Sequence, residues 1–346
     1  MTVLKTGIVG CGNIAKIHFA ALKGLEDVEI VAAADIDLER GETYSEEYEN
    51  KKIHLYSSFT TMLEKEQLDV VHICTPHYLH VSMALEAVKK GVHVFMEKPQ
   101  AISKAEFEAL KEEKKKWQKE VGICFQNRYN PAVRKGKKLL ESGYLGELKG
   151  ARAFLTWNRE KAYYEQSKWR GKWSTEGGGV LINQAIHTLD LLVYLLGKPE
   201  RAEASIQNHH LKSIIEVEDT MEAYMEIKGR PVCFYATNAY AEDAPVFLEI
   251  LCSRGKICIE GEYLEVYSQE KGREVYNFEI ERQQFGKKCW GSSHSMCIQD
   301  FYECLKRKKI FCNSLDLTED TFELMLGLYD SAKNNRVVRW EDSVNE

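Results

Sequence analysis

The chain has 346 residues, of which 44% are hydrophobic and 29% charged, and its formal net charge is −6. This length allows two domains with large cores, and the composition is typical of a globular protein. The acidic balance leaves no excess basic surface for nucleic acid or an anionic membrane. No apolar run approaches the roughly 20 residues of a membrane-spanning helix. We therefore expect neither nucleic acid nor a membrane as a partner.

The chain contains ten cysteines, and no two of them have the Cys-x-x-Cys spacing. A zinc site or a redox dithiol therefore has little support. Cys74 and Cys124 lie inside apolar runs, where a cysteine behaves as a small hydrophobe. The first apolar stretch, Thr6–Val9, is too short for a signal peptide, so the many free thiols predict a reducing, cytoplasmic location.

The first 125 residues alternate apolar strand patterns with amphipathic helix patterns. The predicted strands are Thr6–Val9, Val28–Ala34, Ile53–Tyr56, Asp69–Cys74, Val92–Met96 and Val121–Phe125. The predicted helices are Asn13–Leu25, Leu38–Glu49, Phe59–Lys65, Tyr78–Lys90 and Lys104–Lys119. The last helix is preceded by a capping box of Ser103 and Glu106. Alternating β-α units of this length predict a parallel sheet with helices on both faces.

The pattern changes after residue 125. Helices are predicted at Pro131–Leu140, Val180–Leu196, His294–Lys306 and Leu317–Lys333. Strands are predicted at Leu148–Trp157, Thr220–Ile227, Val232–Ala239, Val246–Cys252, Lys256–Glu260 and Tyr263–Ser268. Successive strands without helices between them predict an antiparallel or mixed sheet. We therefore expect two domains, an α/β domain at 1–125 and an α+β domain at 126–346.

A glycine-rich turn, Gly10-x-Gly12-x-x-Ala15, joins the first predicted strand to the first predicted helix. The first glycine permits a tight turn, the second lets the backbone approach a pyrophosphate, and Ala15 is small enough for helix–strand packing. The pyrophosphate is expected at the helix amino terminus, where N–H groups and the helix dipole favour an anion. The turn therefore predicts a dinucleotide site.

Asp35 ends the second predicted strand, 23 residues after Gly12. A carboxylate at this spacing binds the adenosine ribose hydroxyls and repels a 2′-phosphate, which favours NAD over NADP. Two alternatives stay open. Asp35 could cap the helix that follows, and Arg40 could accommodate the phosphate of NADP.

The next segment, Cys74-Thr75-Pro76-His77-Tyr78-Leu79-His80, follows a predicted strand. Cys74, His77 and His80 suggest a metal site, but Cys74 is expected inside the strand and no fourth ligand is evident. We instead interpret the segment as a turn beside the nicotinamide ribose, and we expect no metal.

Glu97-Lys98-Pro99 follows the buried strand Val92–Met96. In an open α/β sheet, ligands bind at the carboxyl ends of the strands. A lysine in such a cleft can carry a lowered pKa and can hold a substrate hydroxyl. The alternative is a structural Lys98–Glu97 pair.

A second polar cluster follows Gly177-Gly178-Gly179. Asn183 and His187 are four residues apart and are expected on one helix face. Asp190 could bind the second imidazole nitrogen of His187 and so fix its tautomer, which would suit His187 as a general base. The alternative is a core histidine on an apolar helix.

These segments together resemble the glucose–fructose oxidoreductase, inositol dehydrogenase and rhizopine-catabolism (Gfo/Idh/MocA) family. The similarity covers nearly the whole chain, and it is carried by residues 10–15, Thr75-Pro76 with His80, residues 97–99, 177–190 and 328–332. It implies an α/β Rossmann domain followed by an α+β domain with a large open, mostly antiparallel sheet, which often forms the oligomer interface. A homodimer or homotetramer is therefore expected.

The resemblance also implies NAD(P)-dependent oxidation or reduction of a hydroxyl-bearing carbon of a sugar, sugar derivative or cyclitol. It implies that Lys98 orients the reacting hydroxyl, that His187 is the acid–base residue, and that the Lys98–Pro99 bond is cis. Inositol-dehydrogenase-like members carry aspartate where this chain has Asn183. An amide cannot share a proton, so Asn183 is assigned to a substrate hydroxyl.

The predicted site contains three groups of residues. The catalytic residues are Lys98, His187 and Asn183. The cofactor-binding residues are Gly10, Gly12, Asn13, Ile14, Asp35, Thr75, Pro76, His80, Glu97 and Lys98. The substrate-binding residues are Gln126, Arg128, Trp169, Arg170, Asn183 and His187. The cofactor is NAD, with NADP as the alternative.

The leading hypothesis is thus a dehydrogenase, and two others stay open. One is an enzyme that retains NAD and cycles it internally, such as a glycosidase or epimerase. The other is a non-catalytic sugar or nucleotide sensor on the same scaffold, which the presence of both Lys98 and His187 argues against.

Overall fold

The computed structural model of the chain describes residues 3–47, 53–278 and 293–340. These residues form two compact units. The first contains the described residues up to Gln126 together with 293–318, and the second contains 127–278 and 319–340. None of the helices in the described ranges is long and apolar enough to span a membrane.

The first unit contains a six-stranded parallel sheet in the order β3-β2-β1-β4-β5-β6. Its strands are β1 Leu4–Val9, β2 Val28–Ala34, β3 His54–Tyr56, β4 Val70–Ile73, β5 His93–Met96 and β6 Val121–Ile123. The central strand β4 is buried along its whole length, as expected where helices cover both faces of a parallel sheet. This strand order is that of a Rossmann fold, in which ligands bind at the carboxyl ends near the reversal between β1 and β4.

The helices of this part are α1 Ala15–Lys23, α2 Leu38–Glu47, α3 Phe59–Lys65, α4 His80–Lys89 and α5 Lys104–Trp117. The predicted capping box of α5 is confirmed, because the Ser103 side chain accepts a hydrogen bond from the Glu106 amide at 3.3 Å. The predicted helix at Tyr78–Lys90 begins instead at His80, after a 3-10 turn at His77–Leu79. The end of the predicted helix Leu38–Glu49 lies outside the described residues.

Residues 293–318 belong to the first unit, although the predicted domain division of 1–125 and 126–346 places them in the second. Helix α9, His294–Arg307, packs against α1. Phe301 and Phe311 lie so close to Gly122 that a Cβ there would meet them at 2.7 and 3.1 Å. An apolar helix pattern identifies α9 but does not say which sheet it covers, so this return of the chain could not be predicted.

The second unit contains a nine-stranded sheet in the order β14-β13-β12-β11-β7-β10-β9-β8-β15. Its first strands along the chain are β7 Leu148–Thr156, β8 Arg201–Gln207, β9 Thr220–Ile227 and β10 Arg230–Thr237. They are followed by β11 Phe247–Cys252, β12 Gly255–Glu260, β13 Tyr263–Ser268, β14 Gly272–Asn277 and β15 Val338–Arg339. The β7–β10 pair is parallel and the other pairs are antiparallel.

The helices of the second unit are α6 Pro131–Glu141, α7 Lys161–Glu165, α8 Ile186–Leu196 and α10 Glu319–Asn334. The predicted helix Val180–Leu196 is divided, because a π-helical turn at Leu181–Ala185 precedes α8. Such turns occur frequently at functional sites. The predicted fold class is confirmed: a Rossmann unit with a parallel sheet, and a second unit with a large, mostly antiparallel sheet.

Candidate active site

The carboxyl ends of the strands in the first unit bring the predicted cofactor residues to one edge of the sheet. Gly10 follows β1, Asp35 follows β2, Thr75 comes shortly after β4, and Glu97 follows β5. This edge is where an open parallel sheet binds ligands. The parallel strand order therefore brings residues that are far apart in the sequence close together in space.

Gly10 makes the turn that begins this edge. Its φ is +86°, and a Cβ at this position would lie 2.7 Å from the Cys74 carbonyl oxygen. Its amide donates a hydrogen bond to Ala34 O at 2.8 Å. The turn is therefore held against the ends of β2 and β4 at a distance that only glycine allows.

The amino terminus of α1 is suited to an anion. Ile14 occupies the N-cap position and supplies no side-chain cap, and Asn13 beside it is exposed. A Cβ at Gly12 would meet no atom within 4 Å. The Tyr44 hydroxyl donates to Gly12 O at 2.9 Å and steadies the loop. A helix amino terminus that has no side-chain cap and lies beside open space fits a pyrophosphate.

Asp35 is half-buried and accepts hydrogen bonds from two backbone amides. They are those of Cys11 at 2.7 Å and Asp37 at 2.9 Å. The carboxylate therefore ties the glycine turn to the end of β2, where it suits the ribose hydroxyls of NAD. Arg40, the residue that could favour NADP, pairs with Asp37 at 3.2 Å.

His80 connects two turns of the edge. One ring nitrogen lies 2.9 Å from Thr75 O, and the other lies 2.9 Å from Pro99 O. Burial, the largest influence, lowers the pKa of His80. The structure thus places His80 as a brace between the turns after β4 and β5, beside the half-buried Thr75 and Pro76.

Lys98 is half-exposed at the end of β5, next to the buried Glu97. The Lys98–Pro99 bond is cis, as the resemblance implied. Burial alone would raise the pKa of Glu97. The hydrogen bond from His18, the interactions with His18 and His294, and the Lys98 charge outweigh burial and lower that pKa.

A buried chain of hydrogen bonds leads from Glu97 into the first unit. Glu97 is 3.0 Å from His18 Nε2, the two Nδ1 atoms of His18 and His72 are 2.8 Å apart, and His72 Nε2 is 2.9 Å from the Tyr302 hydroxyl. Tyr302 also bonds Thr6 Oγ1 at 2.8 Å. When His72 donates to His18 and His18 donates to Glu97, every donor of the chain points toward the Glu97 carboxylate, and each member is satisfied.

The same region holds a group of potential metal ligands among the described residues. Ligand atoms of His18, Glu97 and Cys124 all lie within 4.8 Å of one another. The direct bond between His18 and Glu97 already uses two of these three side chains. A hydrogen-bonded cluster accounts for their proximity.

A metal site at Cys74, His77 and His80 was the alternative considered for the turn after β4. Both ring nitrogens of His80 face carbonyl oxygens, which argues against His80 as a metal ligand.

In the second unit, the glycine segment allows close packing beneath the predicted catalytic helix. A Cβ at Gly178 would lie 1.9 Å from the Tyr329 hydroxyl, and one at Gly179 would lie 1.9 Å from Glu218 O. The buried Glu218 carboxylate accepts from the amides of Gly179 and Leu181 at 2.9–3.1 Å and from Tyr329 at 2.8 Å. Glu218 thereby caps the start of the helical segment that carries Asn183 and His187.

Asn183 is buried in the π-helical turn. Its Nδ2 donates to Glu176 Oε1 and, at 3.3 Å, to the Tyr163 hydroxyl. Gln184 Nε2 donates to the same hydroxyl at 3.2 Å, and Gln184 Oε1 accepts from Asn238 at 2.9 Å. A connected polar network therefore surrounds the predicted substrate residue.

His187 is half-buried near the start of α8. The carboxylate of Asp190, expected beside its imidazole, binds other partners. Arg128 donates to it through Nε at 2.8 Å and Nη2 at 2.5 Å, and Thr321 Oγ1 donates at 2.8 Å. A buried guanidinium matches a carboxylate with two parallel bonds, which accounts for this pairing.

The predicted substrate residues differ in their surroundings. Arg128 is 4% exposed and held by the ion pair, so it fixes the base of α8. Gln126 is buried in the first unit, near the Cys124 thiol. Trp169 and Arg170 are half-buried, and the Arg170 guanidinium lies 4.2 Å from the ring centre of Tyr163.

Sequence reasoning missed the polar residues that support Asn183: Glu176, Gln184, Glu218 and Asn238. Only Glu176 gave a usable signal, since a carboxyl directly before three glycines and an apolar helix is expected to be buried with a partner. Glu218 and Asn238 lie far along the chain from Asn183, and pairing across such a distance has no local pattern.

Two comparisons connect these features to known proteins. Residues 4–125 match the family described as "Oxidoreductase family, NAD-binding Rossmann fold", and residues 133–258 match the "GFO/IDH/MocA C-terminal domain". D-glucoside 3-dehydrogenase of Escherichia coli (strain K12) is 31% identical over 217 residues, which cover 61% of this chain and 58% of the relative. Glucose-6-phosphate 3-dehydrogenase of Bacillus subtilis (strain 168) is 26% identical over 232 residues, which cover 65% and 64%. The match thus spans about six tenths of each relative.

Among solved structures, the WlbA dehydrogenase from Bordetella pertussis, in complex with NADH and UDP-GlcNAcA, is similar with a TM-score of 0.84. It is 24% identical, and the alignment covers 98% of this chain and 99% of that one. At this level of identity the likeness establishes the fold.

Proposed function

Because the chain belongs to the GFO/IDH/MocA family of oxidoreductases, we propose that it is an NAD-dependent dehydrogenase. Its substrate is a sugar, sugar derivative or cyclitol, and a hydroxyl-bearing carbon is the reacting centre. The observation that carries the proposal is the ligand-binding edge of the first unit, where Lys98 follows β5 and the Gly10 turn follows β1. In functional terms, 1–125 is the cofactor domain and 126–346 the substrate domain.

The residues of the first unit fit NAD. The amino terminus of α1, with Gly12, Asn13 and Ile14, would hold the pyrophosphate, and Asp35 would hold the adenosine ribose. Thr75, Pro76 and Glu97 would line the edge that His80 braces. When bound, the cofactor supplies the hydride acceptor. Asp35 disfavours NADP by charge, and the pairing of Arg40 with Asp37 supports the same preference.

Three side chains act on the substrate in this proposal. Lys98 donates a hydrogen bond to the reacting hydroxyl and stabilises its developing alkoxide character. His187 accepts the hydroxyl proton as the general base, a role suited to a half-buried imidazole near neutral pH. Asn183 accepts a hydrogen bond from a substrate hydroxyl, which its amide geometry favours.

Substrate contacts are also assigned to Gln126, Trp169 and Arg170, and Arg128 contributes by holding the base of α8. The names of the two relatives described above place their reactions at the 3-position of a glucose unit. Glucosides and glucose 6-phosphate are therefore the first compounds to assay, followed by inositols, other aldoses and sugar acids.

We further propose that the chain acts in the cytoplasm as a homodimer or homotetramer. The nine-stranded sheet exposes large side chains that would be covered by a second copy, namely Tyr224, Leu251, Tyr263, Tyr267 and Val275. Light scattering after size-exclusion chromatography tests this assembly. A monomer at micromolar concentration would contradict it.

The test of the function is the appearance of reduced nicotinamide absorbance across this panel, with NAD⁺ and NADP⁺ assayed separately. We expect turnover with at least one sugar or cyclitol, and a preference for NAD⁺. Preference for NADP⁺ would contradict the role of Asp35. No turnover, with nucleotide retained through purification, would instead support the internally cycling enzyme or the sensor.

A further inference from the structure

Glu176 is a buried carboxyl group in direct contact with Asn183. It is 1% exposed and lies in the loop between α7 and the π-helical turn. Its Oε2 accepts the Gly171 amide at 2.5 Å, and its Oε1 accepts the side-chain amide of Asn183. Both carboxyl oxygens therefore face donors, an arrangement that suits the ionised form.

This contact fixes the polarity of the Asn183 amide. One Nδ2 hydrogen points toward Glu176, and the other points toward the Tyr163 hydroxyl. A primary amide has two N–H donors and one carbonyl acceptor. With both donors directed this way, Asn183 presents its carbonyl oxygen, which has two lone pairs, as the acceptor of its side chain.

We propose that Glu176 is a positioning residue for substrate binding: its carboxylate holds the Asn183 amide so that Asn183 presents a hydrogen-bond acceptor to a substrate hydroxyl. The proposal rests on the proposed function, because it assigns Asn183 to the substrate. Glu176 itself acts through Asn183.

Protonation of Glu176 would reverse this arrangement. Because the Gly171 amide requires an acceptor at Oε2, the proton would reside on Oε1 and point at the donor hydrogens of Asn183. The amide relieves that conflict by rotating, which turns its carbonyl oxygen toward Glu176 and its nitrogen toward the substrate. Ionisation of Glu176 therefore decides whether Asn183 offers an acceptor or a donor.

The surroundings of Glu176 place this ionisation near neutral pH. Burial is the largest influence and raises the pKa of Glu176. The hydrogen bonds from Gly171 and Asn183 and the Arg170 charge lower this pKa, and the Glu218 carboxyl raises it further. The resulting pKa is about 7. Among the described residues, the titratable or charged groups that act on Glu176 or adjoin its partner Asn183 include Arg170, Glu218, Tyr163, Tyr164 and Tyr329.

A substitution series separates positioning from mere structural support. In Glu176→Gln, the side-chain oxygen stays with the Gly171 amide and the nitrogen faces Asn183, which rotates the amide of Asn183. The double variant combines Glu176→Gln with Asn183→Asp. Its glutamine nitrogen donates a hydrogen bond to one oxygen of the new carboxylate, and the other carboxylate oxygen faces the substrate as an acceptor. Glu165→Gln is the matched control, because Glu165 is an exposed acid paired with Lys161.

Steady-state kinetics from about pH 5.5 to 9 provide the first readout. We expect the wild-type KM to rise as the pH falls below about 7, as Glu176 becomes protonated. Glu176→Gln should raise KM roughly tenfold at about pH 8, equivalent to about 1.4 kcal/mol, and change kcat much less. The double variant should recover most of the wild-type KM. An unchanged KM in Glu176→Gln, or a double variant no better than the single one, would overturn the proposal.

A second readout does not depend on turnover. In wild-type protein labelled with ¹³C-glutamate and ¹⁵N-asparagine, we expect a carboxyl carbon that titrates near a pH of about 7 and is lost in Glu176→Gln. The Asn183 amide resonances should shift with the same midpoint. Asn183 resonances that do not change over this titration would refute the coupling between Glu176 ionisation and the Asn183 amide, even if no sugar proves to be a substrate. If this coupling is present but no turnover is found, the proposed function is refuted, whereas the control of the Asn183 amide by Glu176 is supported.

Discussion

Replacing Gly10 and Gly12 separately by alanine distinguishes two physical roles within one glycine turn. At Gly10, alanine would adopt φ +86° and place its Cβ 2.7 Å from a backbone carbonyl oxygen. The left-handed conformation costs roughly 1–2 kcal/mol, and relief of the clash adds to it, so we expect a loss of about 2–4 kcal/mol in the free energy of unfolding. At Gly12, φ is not positive and the added Cβ meets nothing within 4 Å, so we expect a loss within about 0.5 kcal/mol.

The affinities for NAD should follow a different order. The open space at Gly12 is where the backbone would approach the pyrophosphate, so Gly12→Ala should weaken NAD binding at least tenfold, about 1.4 kcal/mol. Urea denaturation measures the stabilities, and isothermal titration calorimetry measures the affinities. A stable Gly12→Ala protein that binds NAD like the wild type would refute the assignment of this turn to the pyrophosphate.

Three further changes test other parts of the account. Tyr302→Phe removes the hydroxyl that bonds the buried His72. Urea denaturation should show a loss of about 1–3 kcal/mol in the free energy of unfolding, and an unchanged stability would refute the directed hydrogen-bond chain. Arg128→Met leaves the Asp190 carboxylate buried without its ion pair and should lower the free energy of unfolding by about 3–5 kcal/mol. A stable variant with an altered KM would contradict this structural role and support the predicted substrate contact of Arg128. The raised pKa of Glu176, about 7 against an ordinary 4.5, means that the folded state keeps this proton longer than the unfolded one. The wild type should therefore lose about 3 kcal/mol as the pH rises from about 4.5 to about 7, and Glu176→Gln should lack this component; parallel pH profiles of the two proteins would contradict it.

Local patterns were sufficient to predict the Rossmann sheet and the turns at the carboxyl ends of its strands. Gly10 and Asp35 were predicted as cofactor residues because a tight turn and a carboxylate after the second strand need particular residue types at a particular spacing. The structure confirms the turn at Gly10 and joins it to Asp35 through the Cys11 amide. The parallel strand order then brings Lys98 to the same edge as these residues. The cis bond before Pro99 came from the resemblance, since no sequence pattern by itself specifies the isomer.

The partners of buried polar groups could not be predicted from spacing. Asp190 is three residues from His187, which suggested a bond between them, but its partner Arg128 comes from a different element. The bond between Glu176 and Asn183 likewise depends on how a loop folds back on the π-helical turn. Tertiary packing decides which of several nearby donors binds a carboxylate. The spacing of residues along a helix does not specify that packing.

The central claim is that hydride moves directly from a carbinol carbon of a sugar or cyclitol to the nicotinamide. The most direct test uses a substrate that carries deuterium on its carbons, incubated with NAD⁺ and this protein, followed by mass spectrometry of the NADH. We predict that each NADH carries one deuterium, and that Lys98→Met forms little of it even at NAD⁺ concentrations that saturate the variant. NADH without deuterium, or full activity in Lys98→Met, would contradict the account.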